Sequence, residues 1–226
     1  DEYAITDTFE DFEFNSTSPF HNLQLYLFIL ILLVAFPLIS LLLKLLCTWN
    51  ERCEKVVKKI NDAIYFNAYI RLMLEAYLEL SLSAFLRFER FTFTSFADTI
   101  ISVFGLLIMV TIIAFMIFSI TFLQWNYEHL NEPNVRRKYG GLYLGLETRP
   151  GWRTAMLHPF IFMLRRVLFA AIIVNWSQRN YFQVQTIIFK CSLVVIYVGY
   201  FRPFDIKFQS RLEFINETLV MICTYS

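Results

Sequence analysis

Arg71, Glu75 and Glu79 recur at four-residue intervals inside an otherwise apolar stretch. At about 100° per residue, three such positions fall within roughly 80° of one another on a helix face. Asn67 and Ser83 continue the stripe at the same spacing. A charge at the centre of a bilayer costs at least about 2.5–3.5 kcal/mol on insertion scales, so this face has to meet protein or water. The cations able to meet it at depth in other apolar stretches are Arg165, Arg166 and Lys190. An intramembrane network of Arg71, Glu75, Glu79, Arg165, Arg166 and Lys190 has three readings. It is static cross-bracing between helices, the polar wall of a water-lined pathway, or a charge centre moved by voltage. A voltage-sensing helix is Arg-rich, whereas Arg165-Arg166 is a single adjacent pair. Static bracing therefore comes first, a water-lined cavity second and voltage sensing last.

Other chemistry finds few residues to work with. His21, His129 and His158 lie in three separate segments, so neither a metal nor a cofactor is expected. Isolated Ser, His, Asp and Cys positions give no nucleophilic triad, and the chain is not expected to be an enzyme. Gly140-Gly141 is not followed by Gly-Lys-Ser/Thr, which argues against a phosphate loop, and nothing suggests nucleic-acid binding. The run Arg136-Arg137-Lys138 could hold anionic lipid headgroups at about 1 kcal/mol per charge. The same residues would serve equally as topology-setting charges in a flexible loop. Cys47, Cys53, Cys191 and Cys223 have no metal-ligand spacing. Cys47 and Cys53, just past the first apolar run, are palmitoylation candidates or plain packing thiols. Asn15-Ser16-Thr17 is a glycosylation sequon, meaningful if this end is extracytoplasmic.

Membrane helices are the elements that would carry these residues. Hydrophobic residues make up 57% of the 226 and charged residues 17%, against about a quarter charged in soluble domains. About 20 helical residues cross a hydrocarbon core. The stretches that meet or approach this are 23–46, 63–88, 98–124, 159–175, 181–201 and 212–226, with residues 1–22 an acidic extracytoplasmic lead-in. The second is the least apolar because of its charged stripe, and Pro37 is expected to kink the first. Lys44, Arg52, Lys55, Lys58 and Lys59 follow span one. Arg136, Arg137, Lys138, Arg149 and Arg153 lie between spans three and four, and Arg202, Lys207 and Arg211 after span five. The intervening segments carry Arg87 and Arg90, then Arg179, and the lead-in has no Lys or Arg. This alternation fits six crossings with the N-terminus outside. The expected fold is an all-α, polytopic helix bundle. The last apolar run stops at Ser226 without an initiator Met at the start, so the chain is expected to be a piece of a longer polypeptide.

Two stretches carry a resemblance. Ile70-Arg71-Leu72-Met73-Leu74-Glu75-Ala76-Tyr77-Leu78-Glu79-Leu80 resembles a segment of large ciliate cysteine-rich membrane proteins. Phe201-Arg202-Pro203-Phe204 with Gln209-Ser210-Arg211-Leu212-Glu213-Phe214-Ile215-Asn216-Glu217 resembles their matching late segment. The late pattern is also loosely similar to transient-receptor-potential-like and polycystin-type proteins. Together these stretches cover about a quarter of the chain. The resemblance implies an upstream ectodomain, further spans downstream and a plasma or ciliary membrane of a eukaryote. The function it implies is the membrane domain of a channel or channel-accessory protein, with the lipid bilayer and other membrane subunits, or the rest of its own chain, as partners. A structural anchor of a larger complex is the alternative, and a lipid-handling transporter the third reading. Polycystin-type channels place a pore loop outside between their last two spans. Here the connection between spans five and six is short and, by the charge rule, cytoplasmic.

Overall fold

The computed structural model describes Pro19, Ile31, Phe93 and residues 67–89, 95–147, 153–176 and 179–225. Apart from Ile31, span one lies outside the described residues, as do the connector 50–61, Asn15, Cys47 and Cys53. Among the described residues every regular element is helical: α1 Asn67–Glu89, α2 Phe96–Trp125, α3 Pro133–Tyr143, α4 His158–Asn175, α5 Asn180–Phe201 and α6 Lys207–Tyr225. Single 3₁₀ turns, Tyr127–His129 and Arg153–Leu157, precede α3 and α4. Three helical stretches are long and apolar enough to cross a membrane: Phe96–Trp125, Arg153–Asn175 and Tyr181–Phe201. That is the signature of a membrane protein.

α1 and α2 run antiparallel along their full lengths. Ile70 packs with Leu123 at one end, Tyr77 donates to the Ile112 carbonyl at 3.0 Å midway, and Arg87 reaches Ser102 at the other end. Small buried residues such as Ala76, Ser83, Ala84 and Ser102 line these helices and let the backbones approach, as in lipid-embedded packing. α4 runs parallel to α1, with Met163 beside Tyr77 and Val174 beside Leu86. α5 returns antiparallel to α4, and α6 folds back on α5 as a hairpin, bringing Met221 to Ser192.

The segment between α2 and α4 departs from the flexible loop expected from its glycines. Pro133 opens α3 at the first helical position, where its missing N–H costs nothing. Gly140 and Gly141 lie inside the helix, and α1 passes against Gly141. A Cβ at Gly141 would collide with the Asn67 side chain and press on Arg71 Cγ. Ile70, Leu123, Tyr127, Leu130, Leu142 and Met156 form a buried core beneath α3. Tyr143 donates to the Leu130 carbonyl at 2.7 Å. Burial raises its phenol pKa, with Arg136 opposing, so the hydroxyl remains a donor.

The α3 end of the bundle also gathers the α5–α6 corner. Leu146 and Phe204 form an antiparallel bridge, Glu147 N donates to the Pro203 carbonyl at 2.9 Å and Asp205 N to the Gly145 carbonyl at 3.0 Å. The start of α1, residues 126–147 and 153–157 and the 202–206 corner therefore share one end. The end of α1, the start of α2, the end of α4 and the start of α5 occupy the other.

Candidate functional site

α4 carries two adjacent arginines about two turns from its start, and neighbouring residues on a helix point about 100° apart. Arg165 and Arg166 accordingly serve different neighbours. Arg165 Nη1 donates to Glu213 Oε1 of α6 at 2.9 Å and also to Glu217 Oε1. Glu213 and Glu217 are one turn apart and share one face of α6. The Glu217 residue is 3% exposed, so its carboxylate depends on its protein partners for compensation.

Lys190 of α5 completes the cluster. Its ammonium sits 4.8 Å from the Phe169 ring centroid, a cation–π distance, one turn of α4 beyond Arg165. The neighbouring Cys191 is buried. Two carboxylates, one guanidinium and one ammonium balance formally to zero. His158 stands at the mouth of the cluster, edge-on to Phe204 at 4.6 Å.

Arg166 turns toward α1. Its Nη1 donates to the Leu74 carbonyl at 2.7 Å and the Glu75 carbonyl at 3.2 Å, while the guanidinium lies 4.1 Å from the Phe162 centroid. Both carbonyls lie inside α1, where each oxygen keeps a second lone pair free for an outside donor. These bonds tie α4 to α1 through backbone oxygens of α1, whereas the sequence pointed to the carboxylates of Glu75 and Glu79 as the partners. The Glu75 side chain is exposed, Glu79 half-buried, and Arg71 lies exposed beside α3. Of the six residues expected to form one network, Arg165 pairs with the α6 carboxylates, Lys190 lies over Phe169 and Arg166 makes a separate clamp to α1. Arg136 and Arg137 are exposed on α3 and Lys138 is half-buried. Among the described residues no group of three or more His, Cys, Asp and Glu could hold a metal.

Two sets of residues escaped the sequence reading. Glu213 and Glu217 show the same signal used for α1, charges one turn apart in an apolar helix. They fall next to a basic corner that reads as a membrane boundary. Arg87 reads only as a boundary charge, yet it is 6% exposed. Its Nε and Nη2 donate to Ser102 Oγ at 3.2 and 2.7 Å, and Nη2 also donates to the Asp98 carbonyl at 3.0 Å. A Cβ at Gly105 would lie 3.0 Å from Arg87 Cγ, so glycine makes room for the arginine stem.

α6 and α2 are built inside out. α6 buries Glu217 while Leu212, Ile215, Leu219 and Ile222 are exposed. α2 buries Ser102 and Ser119 and exposes Leu106, Val110, Ile113 and Ile117. An apolar exterior around polar contacts is the arrangement hydrocarbon demands. Family models, curated proteins and solved structures were compared with the chain, and none matches it.

Proposed function

We propose that this chain is the membrane domain of a transient-receptor-potential-like channel or of a channel-accessory protein. Its N-terminus lies outside and its six crossings include α1 and α6 as well as the three apolar helical stretches. The observation that carries the reading is the group of charges on α4, α5 and α6, Arg165, Lys190, Glu213 and Glu217, in which Arg165 bridges both carboxylates and Glu217 is buried. Ionisable groups kept inside a membrane bundle mark sites where charge is sensed, moved or braced. Three further features support it. α1 runs the whole length of α2. α6 turns its carboxylates inward and its apolar side out. The cations Arg136, Arg137, Lys138, Arg153, Arg202, Lys207 and Arg211 gather at the α3 end, against Arg87 and Arg179 among the described residues at the other, as the positive-inside rule requires.

The deciding experiment records currents from the full-length protein and from this chain in planar bilayers. Currents from the full-length protein, shifted by Arg165→Gln or Glu217→Gln, support the channel reading. Silence from the full-length protein supports the structural anchor. That second reading is favoured by the formal neutrality of the cluster, which suits a brace.

A further inference from the structure

We propose that the corner between α5 and α6 binds the phosphate headgroup of an anionic phospholipid. The corner opens on a cavity of about 540 Å³. Arg202, Lys207 and Arg211 line it, all exposed. Among the described residues, none of the three side chains forms an ion pair or hydrogen bond. Glu147 and Asp205 also border the cavity, and both are engaged in other interactions.

The lining changes character along α6. Lys207, Ser210 and Arg211 come first, and Phe214 and Ile215 follow one turn deeper, facing Val198 of α5. Cations at the mouth and apolar side chains below match the two halves of a phospholipid, whereas free phosphate would use the cations alone. Gly199 leaves its wall open, with nothing within 4 Å of a Cβ placed there.

The backbone at the corner is fixed against its own preference. Arg202 has φ +44°, a left-handed cap usually given to glycine or asparagine. The following Pro203 disfavours α conformations before it. Pro203 is nevertheless fully buried, and the Leu146–Phe204 bridge holds the turn. Strain of this kind persists only where its surroundings impose it. Here it presents an arginine at the rim of a cationic cavity, at the end of the bundle where the membrane reading places headgroups.

The inference rests on the membrane reading above, and the test separates the two. The detergent-purified full chain is titrated with phosphatidylglycerol or phosphatidylcholine, and lipid retained per chain is read by native mass spectrometry. Preferential retention of phosphatidylglycerol is expected, weakened about fivefold by each of Arg202→Ala, Lys207→Ala and Arg211→Ala. Arg211→Lys should retain the lipid, which distinguishes lost charge from lost folding, and Arg179→Ala at the opposite end should leave retention unchanged. Equal retention of the two lipids, or no loss in the alanine variants, overturns the site. Complete displacement by millimolar inorganic phosphate overturns the lipid assignment in favour of free phosphate. A chain that stays in the aqueous phase after reconstitution into phosphatidylcholine vesicles overturns the membrane reading itself. A chain that inserts without headgroup preference overturns this inference alone.

Discussion

Arg165 and Arg166 differ by one position and about 100° of helix rotation, and that rotation decides what each can do. Arg165 faces two carboxylates and shares their burial, so its removal leaves Glu217 charged with its hydrogen-bonding cation gone. Arg165→Gln is expected to destabilise the bundle by about 3–5 kcal/mol, measured by unfolding in mixed micelles. Combining it with Glu217→Gln should cost less than the sum of the two single changes, since the second removes the stranded charge. Simple additivity would show that the two groups do not interact. Arg166→Gln should cost less, because the α1 carbonyls it releases keep their helical partners. Tyr143→Phe removes one buried hydrogen bond to the Leu130 carbonyl, and a loss of about 1 kcal/mol is expected. The cationic half of the site was legible in the sequence, because arginine and lysine in apolar helices must be partnered. The anionic half was not. Glu75, Glu79, Glu213 and Glu217 all have suitable spacing, and the choice among them depends on which helix α4 turns toward, a matter of packing that periodicity does not encode.

At the scale of elements, helix boundaries were the most legible feature. The apolar stretches 98–124, 159–175 and 181–201 agree with α2, α4 and α5 within two residues at each end, because long apolar runs bounded by Pro, Gly and polar clusters leave few alternatives. α6 begins at Lys207, several residues before the expected 212. The polar residues that open it were read as loop, and they form the rim of the cavity. α3 is hidden in the sequence because Gly140-Gly141 reads as a turn, yet close passage of α1 needs a glycine at 141 inside a helix. Gly141→Val should therefore push α1 from α3 and cost about 1–3 kcal/mol. Unchanged thermal stability in that variant would mean that the Asn67 side chain simply moves aside.

For the whole molecule, the testable quantity is which end faces which compartment. Single-cysteine labelling of intact cells should reach positions 15 and 177 and fail at positions 55 and 137. External labelling at position 55 would overturn the six-crossing arrangement. Residues 1–226 alone are expected to conduct no ions, since helices joined at a braced corner offer no selectivity filter. Reproducible single-channel currents from this chain, abolished by Glu75→Gln or Glu79→Gln, would show that the α1 stripe lines a pore.

The burial of Glu217 against Arg165 also bears on how the molecule is made. Synthesis delivers α4 first and the two carboxylates of α6 about fifty residues later. A lone α6 would carry Glu213 and Glu217 into lipid at a cost on the order of 2.5–3.5 kcal/mol for each deeply placed charge. On the membrane reading, α6 is therefore a poor substrate for independent insertion and a good one when α4 and α5 already wait beside the translocon. On that reading the brace of the finished bundle also guides its assembly: α6 can settle in the bilayer only by finding the cation left there for it.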